Sequence, residues 1–208
     1  MKRTRFFFIC FFCFFISFPI FASEPLIHHS LTITLDPEKS NASIQDIVTI
    51  PYSITQSSSS FRLSKNSKIK KITFNGKIIS SVVSGDGFLK LKLPKHTETG
   101  VVDSSKLVCA YTLPLAIANS NMETLFISGE DFFYPQPETK NKSEFKITFQ
   151  VKIQAPSNIK IVSQGEKLKD TVKNGTRTTV WKENKPQEEI LIVADHYHKF
   201  SSHHGPIA

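Results

Sequence analysis

Two adjacent carboxylates, Glu130 and Asp131, stand directly before three aromatic residues, Phe132, Phe133 and Tyr134, with Pro135 and Pro137 following. A carboxylate beside an apolar wall can hold a cationic ligand group, and prolines stiffen the segment that presents it. The same run also suits aromatics that plug one end of a core while Glu130 and Asp131 stay solvated. Histidine gathers at a second place, as His196, His198, His203 and His204. On a strand, His196 and His198 would share a face, a spacing that can serve a metal ion. Ser201, Ser202, Gly205 and Pro206 instead predict a loose tail over 201–208, and a functional zinc site needs fixed ligands, so no metal ligand is assigned. His28-His29 reads in the same way. Cys109 falls in an alternating strand pattern, where a buried inert thiol is expected rather than a nucleophile.

The chain has no Gly-rich phosphate loop, no Gly-x-Ser-x-Gly elbow, no Cys-x-x-Cys and no His-Glu-x-x-His helix. No catalytic residue and no cofactor is therefore assigned, and the substrate-binding candidates are Glu130, Asp131 and Tyr134.

The elements that must position these residues read as strands. Phe145, Ile147, Phe149, Val151 and Ile153 alternate with polar residues, a period of two that gives one apolar and one wet face. Leu31, Ile33 and Leu35 keep the same rule, as do Leu89, Leu91 and Leu93, and Leu107, Cys109, Tyr111 and Leu113. Ile44 to Ile50, Ile69 to Phe74, Ile159 to Val162 and Ile190 to Val193 add short runs rich in β-branched residues. Asn75-Gly76 and Asn174-Gly175 lie between such runs and predict tight hairpins, and Gly85-Asp86-Gly87 predicts a further reversal. No stretch has a helical period; Leu115 to Asn119 is too short to support one. Ser57 to Ser60 reads as a loop inside the domain. Short strands with frequent turns predict an all-β fold, a twisted antiparallel β-sandwich over 23–200.

Lys2, Arg3 and Arg5 precede an apolar block from Phe6 to Phe21, and Ala22-Ser23-Glu24-Pro25 follows. A basic start, a short apolar core and a small residue at the exit predict a signal peptide over 1–22; a span would need about 20 apolar residues, and Pro19 interrupts this block. The expected destination is the periplasm or the exterior, with no membrane contact after cleavage. Cleavage would also remove Cys10 and Cys13, leaving Cys109 alone. The 26 Lys and Arg against 18 Asp and Glu become 23 against 18, a formal +5. That excess is dispersed. Its densest group, Lys65, Lys68, Lys70 and Lys71, has no interleaved aromatics, so no nucleic-acid partner is expected. Asn41, Asn141 and Asn174 head glycosylation sequons, relevant only in a glycosylating host.

At the Ser128-to-Pro135 segment the chain resembles the N-terminal domain of M1-family zinc aminopeptidases, the aminopeptidase N-like class. His28-His29-Ser30-Leu31-Thr32-Ile33-Thr34-Leu35-Asp36-Pro37 is similar to that family's first strand, and Ile44 to Ile50 to its second. Ser128-Gly129-Glu130-Asp131-Phe132-Phe133-Tyr134-Pro135 is similar to the loop carrying its aromatic-Pro element. Phe145 to Phe149, Val162 to Gly165, Arg177 to Trp181 and Ile190 to Ala194 resemble its closing strands in order. The resemblance implies a β-sandwich that packs on a catalytic domain supplying zinc, a Gly-x-Met-Glu-Asn strand and a His-Glu-x-x-His helix. This sequence contains neither motif. It also implies that Glu130 helps hold a substrate's free α-amine. The expected function is an exported, non-catalytic accessory domain that contacts a protein or peptide. Two alternatives stay open: a piece of a longer M1 aminopeptidase, and a generic secreted sandwich that binds carbohydrate through exposed aromatics.

Overall fold

The computed structural model describes residues 26–58, 60–94, 104–115, 124–138 and 145–195. The segment 1–22, the sequon at Asn141, the histidines from His196 to His204 and the tail 201–208 lie outside the described residues.

The period-two runs form strands with the expected faces. β1 (Leu26–Asp36) buries Ile27, His29, Leu31, Ile33 and Leu35, and β2 (Asn41–Pro51) buries Ala42, Ile44, Asp46, Val48 and Ile50. A short helix, α1 (Tyr52–Ser57), follows, and its Ile54 is buried. Sequence periodicity missed this helix because six residues are too few to show a 3.6-residue repeat. Of the serine tract read as a loop, Ser57 ends α1 and Ser60 opens the next strand, with Ser58 and Ser60 buried.

The remaining strands are β3 (Ser60–Ser64), β4 (Lys68–Phe74), β5 (Lys77–Ile78), β6 (Ser81–Val83), β7 (Phe88–Lys92), β8 (Ser104–Pro114) and β9 (Thr124–Ile127). After them come β10 (Gln136–Pro137), β11 (Lys146–Pro156), β12 (Lys160–Ser163), β13 (Glu166–Lys173), β14 (Thr176–Gln187) and β15 (Ile192–Asp195). Eight strands make one large sheet in the order β13-β14-β11-β1-β2-β8-β4-β5. Among the described residues there are two smaller sheets, β10-β3-β7-β6 and β12-β15-β9, and the buried residues of all three form one hydrophobic cluster. Both Asn-Gly pairs close hairpins, β4–β5 and β13–β14. Asn75 (φ 46°), Gly76 (φ 80°), Asn174 (φ 50°) and Gly175 (φ 73°) take the left-handed conformation that tight hairpin turns demand.

One pairing departs from the antiparallel expectation. β1 runs parallel to β11, with Ile27 beside Ile147 and Leu31 beside Val151, while it pairs antiparallel with β2. The apolar period fixes which face a strand buries but not the direction of its neighbour. Cys109 lies on the inward face of β8, and burial pushes its thiol well above its ordinary range. Lys65, Lys68, Lys70 and Lys71 are solvent-exposed.

Candidate functional site

The acidic-aromatic segment leaves β9 and at once folds into a single turn of 3-10 helix, Gly129–Asp131. Two reciprocal bonds fix that turn. The Ser128 hydroxyl accepts from the Glu130 N–H at 3.2 Å, and the Asp131 carboxylate accepts from the Ser128 N–H at 3.0 Å. This capping box spends Asp131 on the backbone, a stabilisation of about 1 kcal/mol. The Gly129 N–H donates to Glu189 Oε2 at 3.0 Å, and the Gln136 side chain donates to the Gly129 carbonyl. Only glycine fits there. A Cβ would lie 2.7 Å from Glu189 Cβ and 2.9 Å from Tyr134 Oη.

The aromatics divide between core and surface. Phe133 and Tyr134 are fully buried, and Pro135 is buried with them. Tyr111 donates its hydroxyl hydrogen bond to the Phe133 carbonyl from inside the core. Tyr134 Oη accepts from the Ile190 N–H at 3.4 Å, and burial pushes the Tyr134 hydroxyl well above its ordinary range. Phe132, at φ 52°, is half-buried and packs on Phe88 with ring centroids 4.5 Å apart. Of the two readings that the sequence offered for the aromatics, plugging one end of the core holds for Phe133 and Tyr134, while Glu130 and Asp131 stay exposed. Of the three sequence candidates, Glu130 is exposed at the rim, Tyr134 forms part of the wall, and Asp131 is turned back onto Ser128.

Between this turn and the starts of β1 and β11 lies a cleft of about 380 Å³. Phe132, Phe145 and Ile147 give it apolar lining, and Glu130, Glu188 and Glu189 bring carboxylates. Most of its charges are already engaged. Lys146 Nζ holds Glu188 at 2.7 Å, and Glu189 holds Gly129. Glu138 accepts from Lys90 and Ser60 and also from Arg62; these bonds hold its carboxyl down to about 2. The Glu130 carboxylate has no hydrogen-bond or ion-pair partner among the described residues.

The floor holds a group that sequence reasoning passed over. His29 lines the cleft, and its Nδ1 lies 2.7 Å from Asp46 Oδ2, both side chains being 0% exposed. The Asp46 oxygen is an acceptor, so Nδ1 carries a proton and donates it. Neither His29 Nε2 nor Asp46 Oδ1 has a partner among the described residues. A buried polar group left unsatisfied costs about 1–3 kcal/mol. The Tyr134 ring stands edge-on to the imidazole at 4.9 Å. A signal for this pair existed in the strand phase: His29 and Asp46 interrupt the inward rows of β1 and β2, where every other buried residue is apolar. His28 points to the opposite face, contacts Thr148 Oγ1 at 2.9 Å, and has its pKa lowered by burial and by His29.

Among the described residues no group of three or more His, Cys, Asp or Glu side chains could hold a metal. A zinc of the kind the resemblance implies has no ligand set there, and no chemical step is derived through one.

No protein-family model matches the chain, and no curated protein matches it. Solved structures do. The chain is similar to an M1 zinc metallopeptidase from Deinococcus radiodurans, with a TM-score of 0.58 and 17% identity over 82% of this chain and 41% of that one. A mutant of the same enzyme bound to a Tyr-Ser-Ala substrate matches with a TM-score of 0.57 and 17% identity, covering 82% and 42% of the two chains. A two-domain M1 zinc metallopeptidase mutant bound to L-arginine matches with a TM-score of 0.58 and 18% identity, covering 82% and 42%. The likeness is one of fold: this chain has the all-β architecture of the N-terminal region of an M1 zinc metallopeptidase and spans about two-fifths of the length of the structures it matches.

Proposed function

We propose that the chain is an exported, non-catalytic accessory domain that receives the amino end of a peptide in the acid-rimmed cleft. The observation that carries this reading is the state of Glu130. Its backbone is fixed by the Ser128–Asp131 capping box, its carboxylate is exposed and unengaged among the described residues, and Phe132 lies in the same cleft wall. A fixed anion beside an apolar wall suits an ammonium group followed by a side chain. The Tyr-Ser-Ala complex of the M1 metallopeptidase supports a peptide as the ligand class.

Calorimetric titration of the purified chain with trialanine amide tests the reading. The free amine should bind about tenfold more tightly than its N-acetyl form, a difference of about 1.4 kcal/mol, and Glu130→Gln should erase the difference. Equal affinity for the two peptides would refute it, and release of alanine would refute the non-catalytic part.

A second reading is favoured by a surface outside the cleft. Phe126 on β9 is 60% exposed and lies opposite Val193 on β15, which lies opposite Val162 on β12, 47% exposed. This apolar row crosses the small sheet, as a face that docks on a further domain would. The matched metallopeptidases are more than twice as long as the matched part. Reading the nucleotide sequence beyond codon 208 for Gly-x-Met-Glu-Asn and His-Glu-x-x-His separates this reading from the first.

A further inference from the structure

Lysines that lie far apart along the chain come together on the outer face of the eight-stranded sheet. The inward rows of β1, β2, β8 and β11 are buried, so the residues between them face outward. Cross-strand pairing puts Lys169, Val180, Lys152, Thr32, Gln45, Ala110 and Lys71 in one outward row from β13 to β4. Lys182 stands two residues along β14 from Val180, and Lys106 and Lys68 share the same face on β8 and β4. Lys68, Lys71, Lys106, Lys152 and Lys169 are exposed and Lys182 is half-buried. None of these six is in an ion pair among the described residues. The acids that the sheet's strands bring to this face are Glu166, opposite Lys182 on the edge strand, and Asp36, which holds Lys39.

Edge protection does not account for this arrangement. Lysine on β13 or β5 blunts an edge, but Lys106, Lys152 and Lys182 are on interior strands. Lys152, Lys169 and Lys182 surround Val180 on strands about 4.8 Å apart, and like charges held so close repel one another. Unbalanced charge on a rigid sheet attracts a partner of the opposite sign.

We propose that this face binds an anionic polysaccharide. The lysines take its anionic groups as point charges, and Thr32 and Gln45 between them bond its hydroxyls. Two features choose this occupant. No Phe, Tyr or Trp on the large sheet's strands faces outward, so the stacking surface that single-stranded nucleic acid uses is missing. Neighbouring strands rotate by about 20°, so the row from β13 to β4 turns through about 120°. A flexible chain can follow that turn, whereas a planar bilayer cannot touch both ends.

The full chain is titrated by calorimetry, at low salt, with dextran sulfate and with neutral dextran of the same length. Dextran sulfate should bind and neutral dextran should not, and the binding should weaken as salt is added. Replacing Lys71, Lys152 and Lys169 together by glutamine should weaken it about tenfold, since each exposed charge pair is worth a few-fold. Replacing Lys65, Lys92 and Lys160, which lie outside the large sheet, removes the same charge and should weaken it less than about twofold. Equal losses in the two triple variants would show that net charge is read and not this face, and the proposal falls. It falls also if dextran sulfate binds no better than neutral dextran. If polyglutamate or phosphatidylglycerol vesicles bind more tightly than dextran sulfate through the same three lysines, the occupant is another polyanion and the polysaccharide assignment is overturned.

Discussion

Glu138→Gln should weaken the fold at neutral pH and have little effect in strong acid. Glu138 ties three elements together: it accepts from Lys90 on β7, from Ser60 on β3 and from Arg62 on β3, and it leaves β10 at the cleft wall. These bonds lower its carboxyl from an ordinary 4.5 to about 2. At about 1.36 kcal/mol per pH unit that drop corresponds to about 3.4 kcal/mol. The side chain is 24% exposed, and solvent screening reduces the figure to about 1–2 kcal/mol. The sign follows from linkage. The folded-state pKa lies below the unfolded one, so the stabilisation is complete above pH 4.5 and is lost as the pH falls towards 2. Urea unfolding of both proteins at pH 7, 4.5 and 3 measures it. The variant should be less stable by about 1–2 kcal/mol at pH 7 and nearly as much at pH 4.5, with about two-fifths of that difference left at pH 3. A stability difference that is the same at pH 7 and pH 3 would show that the network acts through packing and not through charge.

Gly165→Ala should be among the most damaging single substitutions, costing about 2–4 kcal/mol in urea unfolding: Gly165 sits at φ +83°, and a Cβ there would lie 2.2 Å from the Lys182 carbonyl oxygen, a backbone atom that cannot step aside. An alanine variant within 0.5 kcal/mol of the parent would contradict that account. Asp131→Ala should cost about 1 kcal/mol through the lost cap, and the loosened turn should weaken amine binding even though Asp131 itself does not line the cleft. Calorimetry and unfolding on the same sample check both effects.

The strands were legible wherever their inward rows were unbroken. Phe149, Val151 and Ile153 on β11 and Leu107, Cys109, Tyr111 and Leu113 on β8 all point inward as their spacing required. The Asn-Gly turns were equally plain, since the backbone angles they need exclude most other residues. Partner choice was not legible. Leu26 to Thr34 pair with residues about 120 positions later, and nothing local encodes that. At the site, the exposure of Glu130 could be read from its charge and setting. Asp131 could not be separated from it by composition, because only the turn geometry shows which carboxylate faces backward. That aromatics of this run could plug the core was legible, but not that Phe133 and Tyr134 do so while Phe132 stays half-buried. His29 and Asp46 could have been found by asking which polar residues stand in the apolar phase of a strand, a question that adjacent histidines alone do not raise.

The parallel pairing of β1 with β11 sets the order in which the protein can be assembled. β1 and β2 can join as soon as they emerge, but the other edge of β1, in the interior of the large sheet, stays open until Lys146 to Gln154 have been made. Closing so long a loop is slow, placing folding in the millisecond-to-second range typical of non-local β topologies. Until then the chain displays an unpaired strand edge with free backbone N–H and C=O groups. That edge can be captured by a chaperone, or by the same strand of another copy.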